Sequence, residues 1–69
     1  MPIIEMHLMT GRTGEQKRRV MKAVAQATAQ ALEVGVDTVR ILITEHQPDE
    51  FSVAGISAAE RREADPNRQ

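Results

Sequence analysis

The stretch Asp37-Thr38-Val39-Arg40-Ile41-Leu42-Ile43-Thr44-Glu45 decides how the chain is read. Val39, Ile41 and Ile43 alternate with Arg40, Leu42 and Thr44, a period of two that sends alternate side chains to opposite faces of a β-strand. Working back, Pro2-Ile3-Ile4-Glu5-Met6-His7-Leu8-Met9 is rich in β-compatible apolar residues. It predicts a first strand, with Pro2 at an edge where its missing N–H breaks no ladder. Thr10-Gly11-Arg12 is a turn, and Thr13 followed three residues later by Gln16 is a capping-box signature that predicts a helix from about Thr13. Val20, Met21, Val24, Ala25, Thr28, Ala31 and Leu32 then recur at three- and four-residue spacing, with Glu15, Lys17, Arg18, Arg19, Lys22, Gln26 and Gln30 between them. That is one amphipathic helix, expected to stop near Gly35.

A strand, a helix of about 20 residues and a second strand make a βαβ unit, with parallel strands and a right-handed crossover. One helix covers one face of the sheet. The other, carrying Leu42 and part of strand one, would be open in a monomer, whereas parallel sheets are normally covered on both sides. A second subunit is the expected cover. Beyond the turn at 46–50, Phe51-Ser52-Val53-Ala54-Gly55-Ile56 is a short, mostly apolar segment suited to an edge strand or hairpin, on its own or against a neighbour's sheet. The predicted fold class is therefore α/β, a β-α-β unit plus a short C-terminal hairpin, assembled as an oligomer. Residues 1–62 form a single domain in this reading. The run from Glu60 to Gln69, charged and interrupted by Pro66, is expected to fray, with 63–69 as a flexible charged tail.

Composition points the same way. A chain of 69 residues buries a small fraction of its surface, and with no cysteine there is no disulfide or thiolate metal site to supplement the core. Only His7 and His46 remain as soft ligands. Oligomerisation is the economical remedy. The chain is 41% hydrophobic with Phe51 as its one aromatic residue, which suits aliphatic surfaces meeting across subunits. A net charge of −1 exerts no global pull on nucleic acid or an anionic membrane. Neither a signal peptide nor a membrane span is readable, so a cytoplasmic location is expected.

Among the polar residues, Arg40 stands out as a lone charge in an apolar strand, which calls either for an ion-pair partner or for a substrate. Lys17, Arg18, Arg19 and Lys22 read as a solvated helix face rather than a nucleic-acid patch. His7, without a metal-spaced partner, reads as a structural or interface histidine, and Glu5 and Glu45 as structural.

Taken together, the β-α-β-plus-hairpin plan, Pro2 after the initiator Met1, Gly11-Arg12 after strand one, Val39-Arg40 in strand two, Ile43-Thr44-Glu45, and Phe51 after the turn resemble the 4-oxalocrotonate tautomerase family. The resemblance runs without gaps from Pro2 to about Arg62, and its most specific part is the spacing of Pro2, Arg12, Arg40 and Phe51. It implies a homohexamer built as three dimers, with each site assembled from more than one subunit and Arg40 entering a neighbour's site. It also implies Pro2 as general base, Arg12 and Arg40 as carboxylate- and carbonyl-binding groups, and Phe51 as an apolar wall. The implied reaction moves a proton in an unsaturated 2-hydroxy or 2-oxo acid such as 2-hydroxymuconate through a dienol. No metal or organic cofactor takes part, and aromatic-ring catabolism is the implied setting. Dehalogenating and hydrating relatives add a carboxylate to activate water; the matching position here is Val53, which favours tautomerisation. A non-catalytic oligomeric module with the same fold is the alternative of a different class.

The chemistry is sound on its own terms. An α-amino group has a pKa of roughly 7.7 to 8.0, already close to what a general base needs at neutral pH. Proline's secondary amine is more basic, and an apolar wall and neighbouring guanidinium groups would both penalise its ammonium form. An arginine fork binds carboxylate through two hydrogen bonds and keeps its proton. All this requires Met1 to be removed, because an acylated Pro2 nitrogen is a tertiary amide without useful basicity.

Overall fold

The computed structural model describes residues 1–64. Strand β1, Ile3–Met9, pairs in parallel with β2, Arg40–His46, in register from Ile3 opposite Arg40 to Met9 opposite His46. The ladder continues past both strands: Arg40 N–H donates to the Pro2 carbonyl at 2.9 Å and Thr10 N–H to the His46 carbonyl at 3.0 Å. Between the strands α1, Gly14–Leu32, runs back along the sheet. Ile4, Met6, Leu8, Ile41 and Ile43 are half-buried, as are Val20, Met21, Val24, Ala25 and Thr28 of the helix, and Ala29 is buried. These make the helix–sheet layer, with Ala29 in place of the expected Ala31 and Leu32, which lie exposed in the last turn.

The other face of the sheet is open, with Ile3 63% and Leu42 52% exposed. Ala29, still 8% exposed, is the one described hydrophobic residue that is buried. The radius of gyration of 15.6 Å is well above the about 11 Å expected of a compact chain of this length. A single copy therefore leaves much of its apolar surface outside any core.

Both ends of α1 have a chemical cause. At the start, Thr13 Oγ1 accepts from Gln16 N–H at 3.0 Å while Gln16 Oε1 accepts from Thr13 N–H at 2.9 Å, closing the capping box read from the sequence. At the end, Glu33 adopts left-handed φ 56, Glu33 N–H donates to Gln30 O, and Val34 N–H donates to Ala29 O at 3.0 Å. These bonds make a Schellman motif, which ends the helix before Gly35. Gly35 instead leads a 3-10 turn over Val36–Thr38, whose Thr38 N–H and hydroxyl both donate to the Gly35 carbonyl. Asp37 lies in this turn, so strand two begins at Arg40 rather than at Asp37.

After a second 3-10 turn, Pro48–Glu50, strands β3, Ser52–Val53, and β4, Ile56–Ser57, form an antiparallel hairpin that is a sheet of its own. Ala54 and Gly55 both have positive φ, 56 and 80, as a type I′ turn requires. Helix α2, Ala58–Ala64, follows at once and takes in Glu60 to Ala64, which the charge pattern had assigned to a frayed end. Its cause is a second capping box, with Ser57 N–H donating to Glu60 Oε2 at 2.7 Å and Glu60 N–H to Ser57 Oγ at 3.1 Å. The remainder of the expected tail, 65–69, lies outside the described residues.

A left-handed backbone costs a side-chain-bearing residue about 1 kcal/mol relative to glycine. Glu33→Gly is accordingly expected to raise stability by about that amount without altering the fold. Urea denaturation at fixed protomer concentration would read this as a higher midpoint with an unchanged slope.

Candidate active site

The parallel register decides which predicted site residues can meet. Pro2 precedes β1 and Arg40 opens β2, so both lie at one end of the sheet, joined by the bond from Arg40 N–H to the Pro2 carbonyl. The Arg40 side chain is exposed on the uncovered face, in line with Ile3 and Leu42, and its Nη1 donates to the Asp37 carbonyl at 2.8 Å. No carboxylate faces it among the described ion pairs, so its guanidinium is held by a backbone acceptor that leaves most of its donors available.

Arg12 and Phe51 are placed elsewhere. Arg12 is exposed in the turn after β1, and seven strand residues separate it from Pro2, a distance on the order of 20 Å. Phe51 follows the end of β2 by five residues, three of them in a 3-10 turn, too short a path to return to Pro2. It is 48% exposed, and its carbonyl accepts from Ala58 N–H at 2.8 Å. One chain thus brings Pro2 and Arg40 together and carries Arg12 and Phe51 to the opposite end of the sheet.

Three features near these residues were not read from the sequence. Lys17 is half-buried and its Nζ lies 3.1 Å from Glu45 Oε1, tying α1 to β2 instead of joining the solvated face. His7 Nδ1 lies 2.8 Å from His46 Nε2 on the open face, with the rings inclined by 24°. At that distance the two rings are hydrogen-bonded, with the tautomers deciding which nitrogen donates. The register signals this pair, since His46 is two residues beyond Thr44, the partner of His7, and therefore on the same face. The third is Arg61, whose Nη2 donates to the Val53 carbonyl at 3.0 Å.

Comparison with known proteins gives this geometry a class. A model of the tautomerase enzyme family matches residues 2–61. The chain is 37% identical over 62 residues to the 2-hydroxymuconate tautomerase of Pseudomonas sp. strain CF600, spanning 90% of this chain and 98% of that one. In structure it is similar to a 4-oxalocrotonate tautomerase isozyme of Methylibium petroleiphilum, with TM-score 0.89, 51% identity, and 91% and 98% of the two chains covered. It is also similar to a chain of the heterohexameric 4-oxalocrotonate tautomerase of Chloroflexus aurantiacus, with TM-score 0.84, 37% identity, and 87% and 97% covered. A βαβ unit with a C-terminal hairpin is thus a small tautomerase fold. The chain belongs to the tautomerase enzyme family, and its activity is that of an isomerase.

The carboxyl of Glu60 is held below its ordinary pKa, first by the Ser57 N–H and then by the Ser57 hydroxyl. Because the folded-state value is depressed, the cap contributes fully above the ordinary carboxylate range and is lost as pH falls through the lowered value. Hydrogen exchange at the Ser57 amide should accelerate with acidification across that window beyond its intrinsic pH dependence. Glu60→Gln should abolish this added response.

Proposed function

We propose that the chain catalyses cofactor-independent keto–enol tautomerisation of an unsaturated 2-hydroxy or 2-oxo acid, with 2-hydroxymuconate as substrate and the amine of Pro2, freed by loss of Met1, as the base. The observation that carries the reading is the exposed Arg40 guanidinium on the open face of the sheet, held by the Asp37 carbonyl at 2.8 Å with most of its donors available, and so able to enter a neighbouring subunit's site beside that subunit's proline amine. The base takes a proton from the substrate, negative charge spreads through the conjugated system onto oxygen, and the resulting ammonium returns the proton to a carbon. No atom is gained or lost. Arg40 and Arg12 hold carboxylate and carbonyl oxygen, and Phe51 supplies an apolar side that disfavours the ammonium form.

Because Arg12 and Phe51 lie far from Pro2 of the same chain, the proposed site is completed by other subunits. A homohexamer of three dimers is the assembly we infer, supported by the open face around Ile3 and Leu42 and by the hexamer of the Chloroflexus relative. The tautomerase domain in this reading spans 1–62, in keeping with the family match to residue 61. Among the described residues no helix is long and apolar enough to cross a membrane, and we take the enzyme to act in the cytoplasm on a diffusible acid made during aromatic-ring breakdown.

The deciding experiment is the ultraviolet time course of 2-hydroxymuconate ketonisation by Met1-free protein, beside Pro2→Ala and Arg40→Ala. Arg40→Ala should lower turnover about 100- to 1000-fold and Pro2→Ala by about 100-fold or more. Turnover no faster than buffer would reject this substrate, and full activity in protein whose intact mass retains Met1 would reject the base. Leu42→Asp, which sets a charge on the open face, should dissociate the assembly in sedimentation and abolish turnover with it.

A further inference from the structure

The β3–β4 hairpin has two residues per strand and stands apart from the β1–β2 sheet, so its own pairing is marginal in water. Two bonds from α2 tie it down. Ala58 N–H donates to the Phe51 carbonyl at 2.8 Å, and Arg61 Nη2 donates to the Val53 carbonyl at 3.0 Å. The two acceptors flank Ser52, so both bonds grip the segment that carries Phe51. The Ser57–Glu60 capping box fixes where α2 begins, and Arg61 follows directly. The guanidinium is drawn in so far that Arg61 Nε is buried and has no hydrogen-bond partner. An unpaired buried donor costs about 1–3 kcal/mol, which an outward-pointing rotamer would avoid. The inward rotamer is therefore held by what it gains at Val53.

From this geometry we propose that Arg61 is a positioning residue for the tautomerase reaction, holding the hairpin through the Val53 carbonyl so that Phe51 keeps its place as the apolar wall of the site. The proposal rests on the reading of Phe51 given above. Arg61 itself touches neither substrate nor base. Without it the hairpin loosens, and a substrate packed less well in ground and transition states alike shows a higher KM rather than a lower kcat. Water reaching the amine also favours its ammonium form, so the active base appears only at higher pH.

The test is steady-state kinetics across pH on Met1-free Arg61→Met, Arg61→Lys and Phe51→Leu, each checked for assembly by sedimentation. Arg61→Met should raise KM about five- to tenfold with kcat changed less than about twofold, and move the acid limb of kcat/KM to higher pH. Arg61→Lys should fall between, since its ammonium restores one donor to Val53. An assembled Arg61→Met with wild-type KM and acid limb overturns the proposal when Phe51→Leu changes both. Phe51→Leu without effect overturns the reading of Phe51 and the proposal with it. Should Arg61→Met fail to assemble, Arg61→Gln, whose shorter amide stops short of Val53, is judged by the same two quantities.

Discussion

The parallel hydrogen-bonded register of β1 and β2, closed by the Pro2 carbonyl at one end and the His46 carbonyl at the other, is the constraint on which the rest of the subunit depends. It makes both strands start together, and so joins Pro2 to Arg40 while sending the chain toward Arg12 and Phe51 at the far end. It also fixes parity. Ile4, Met6, Ile41 and Ile43 turn to α1, and Ile3, His7, Arg40, Leu42 and His46 share the opposite face. A slip of one residue in this register would exchange the two sets and remove both the helix–sheet layer and the histidine pair.

Around that frame the ends of elements are set by short-range hydrogen bonds. Thr13 with Gln16 and Ser57 with Glu60 start the two helices, and Glu33 stops the first by entering the left-handed region. The Lys17–Glu45 pair, with both side chains about one-third exposed, contributes at most about 1 kcal/mol and serves more to align α1 over β2 than to hold it there. Stability in the unit comes from apolar contact, and much of the surface that would supply it faces outward.

The two strands, the helix and its N-terminal cap were legible in the sequence because each rests on a local pattern: alternation at 39–44, three-four spacing at 20–28, and Thr13 three residues before Gln16. The end of α1 was not, because a glutamate in a glycine conformation leaves no mark in composition, while the nearby Gly35 offers a false one. Helix α2 was hidden by its charge. Glu60 and Arg61 look like solvated tail residues until Ser57 and Val53 are seen to accept from them and Ser57 to donate in return. Of the proposed site, Pro2, Arg12, Arg40 and Phe51 were singled out by type and spacing as candidates, but their separation within one chain depends on strand direction over tens of residues. The hydrogen bond between His7 and His46 likewise needs the register, which no single segment contains.

One described hydrophobic residue, Ala29, is buried in the isolated subunit, and even it keeps 8% of its surface in water. For an assembly made of such subunits, folding and association become a single equilibrium, and its position follows the amount of protein present. Dilution then acts as a denaturant. The catalyst has a concentration floor, below which what is lost is not the speed of the site but the existence of the folded chain that would form it.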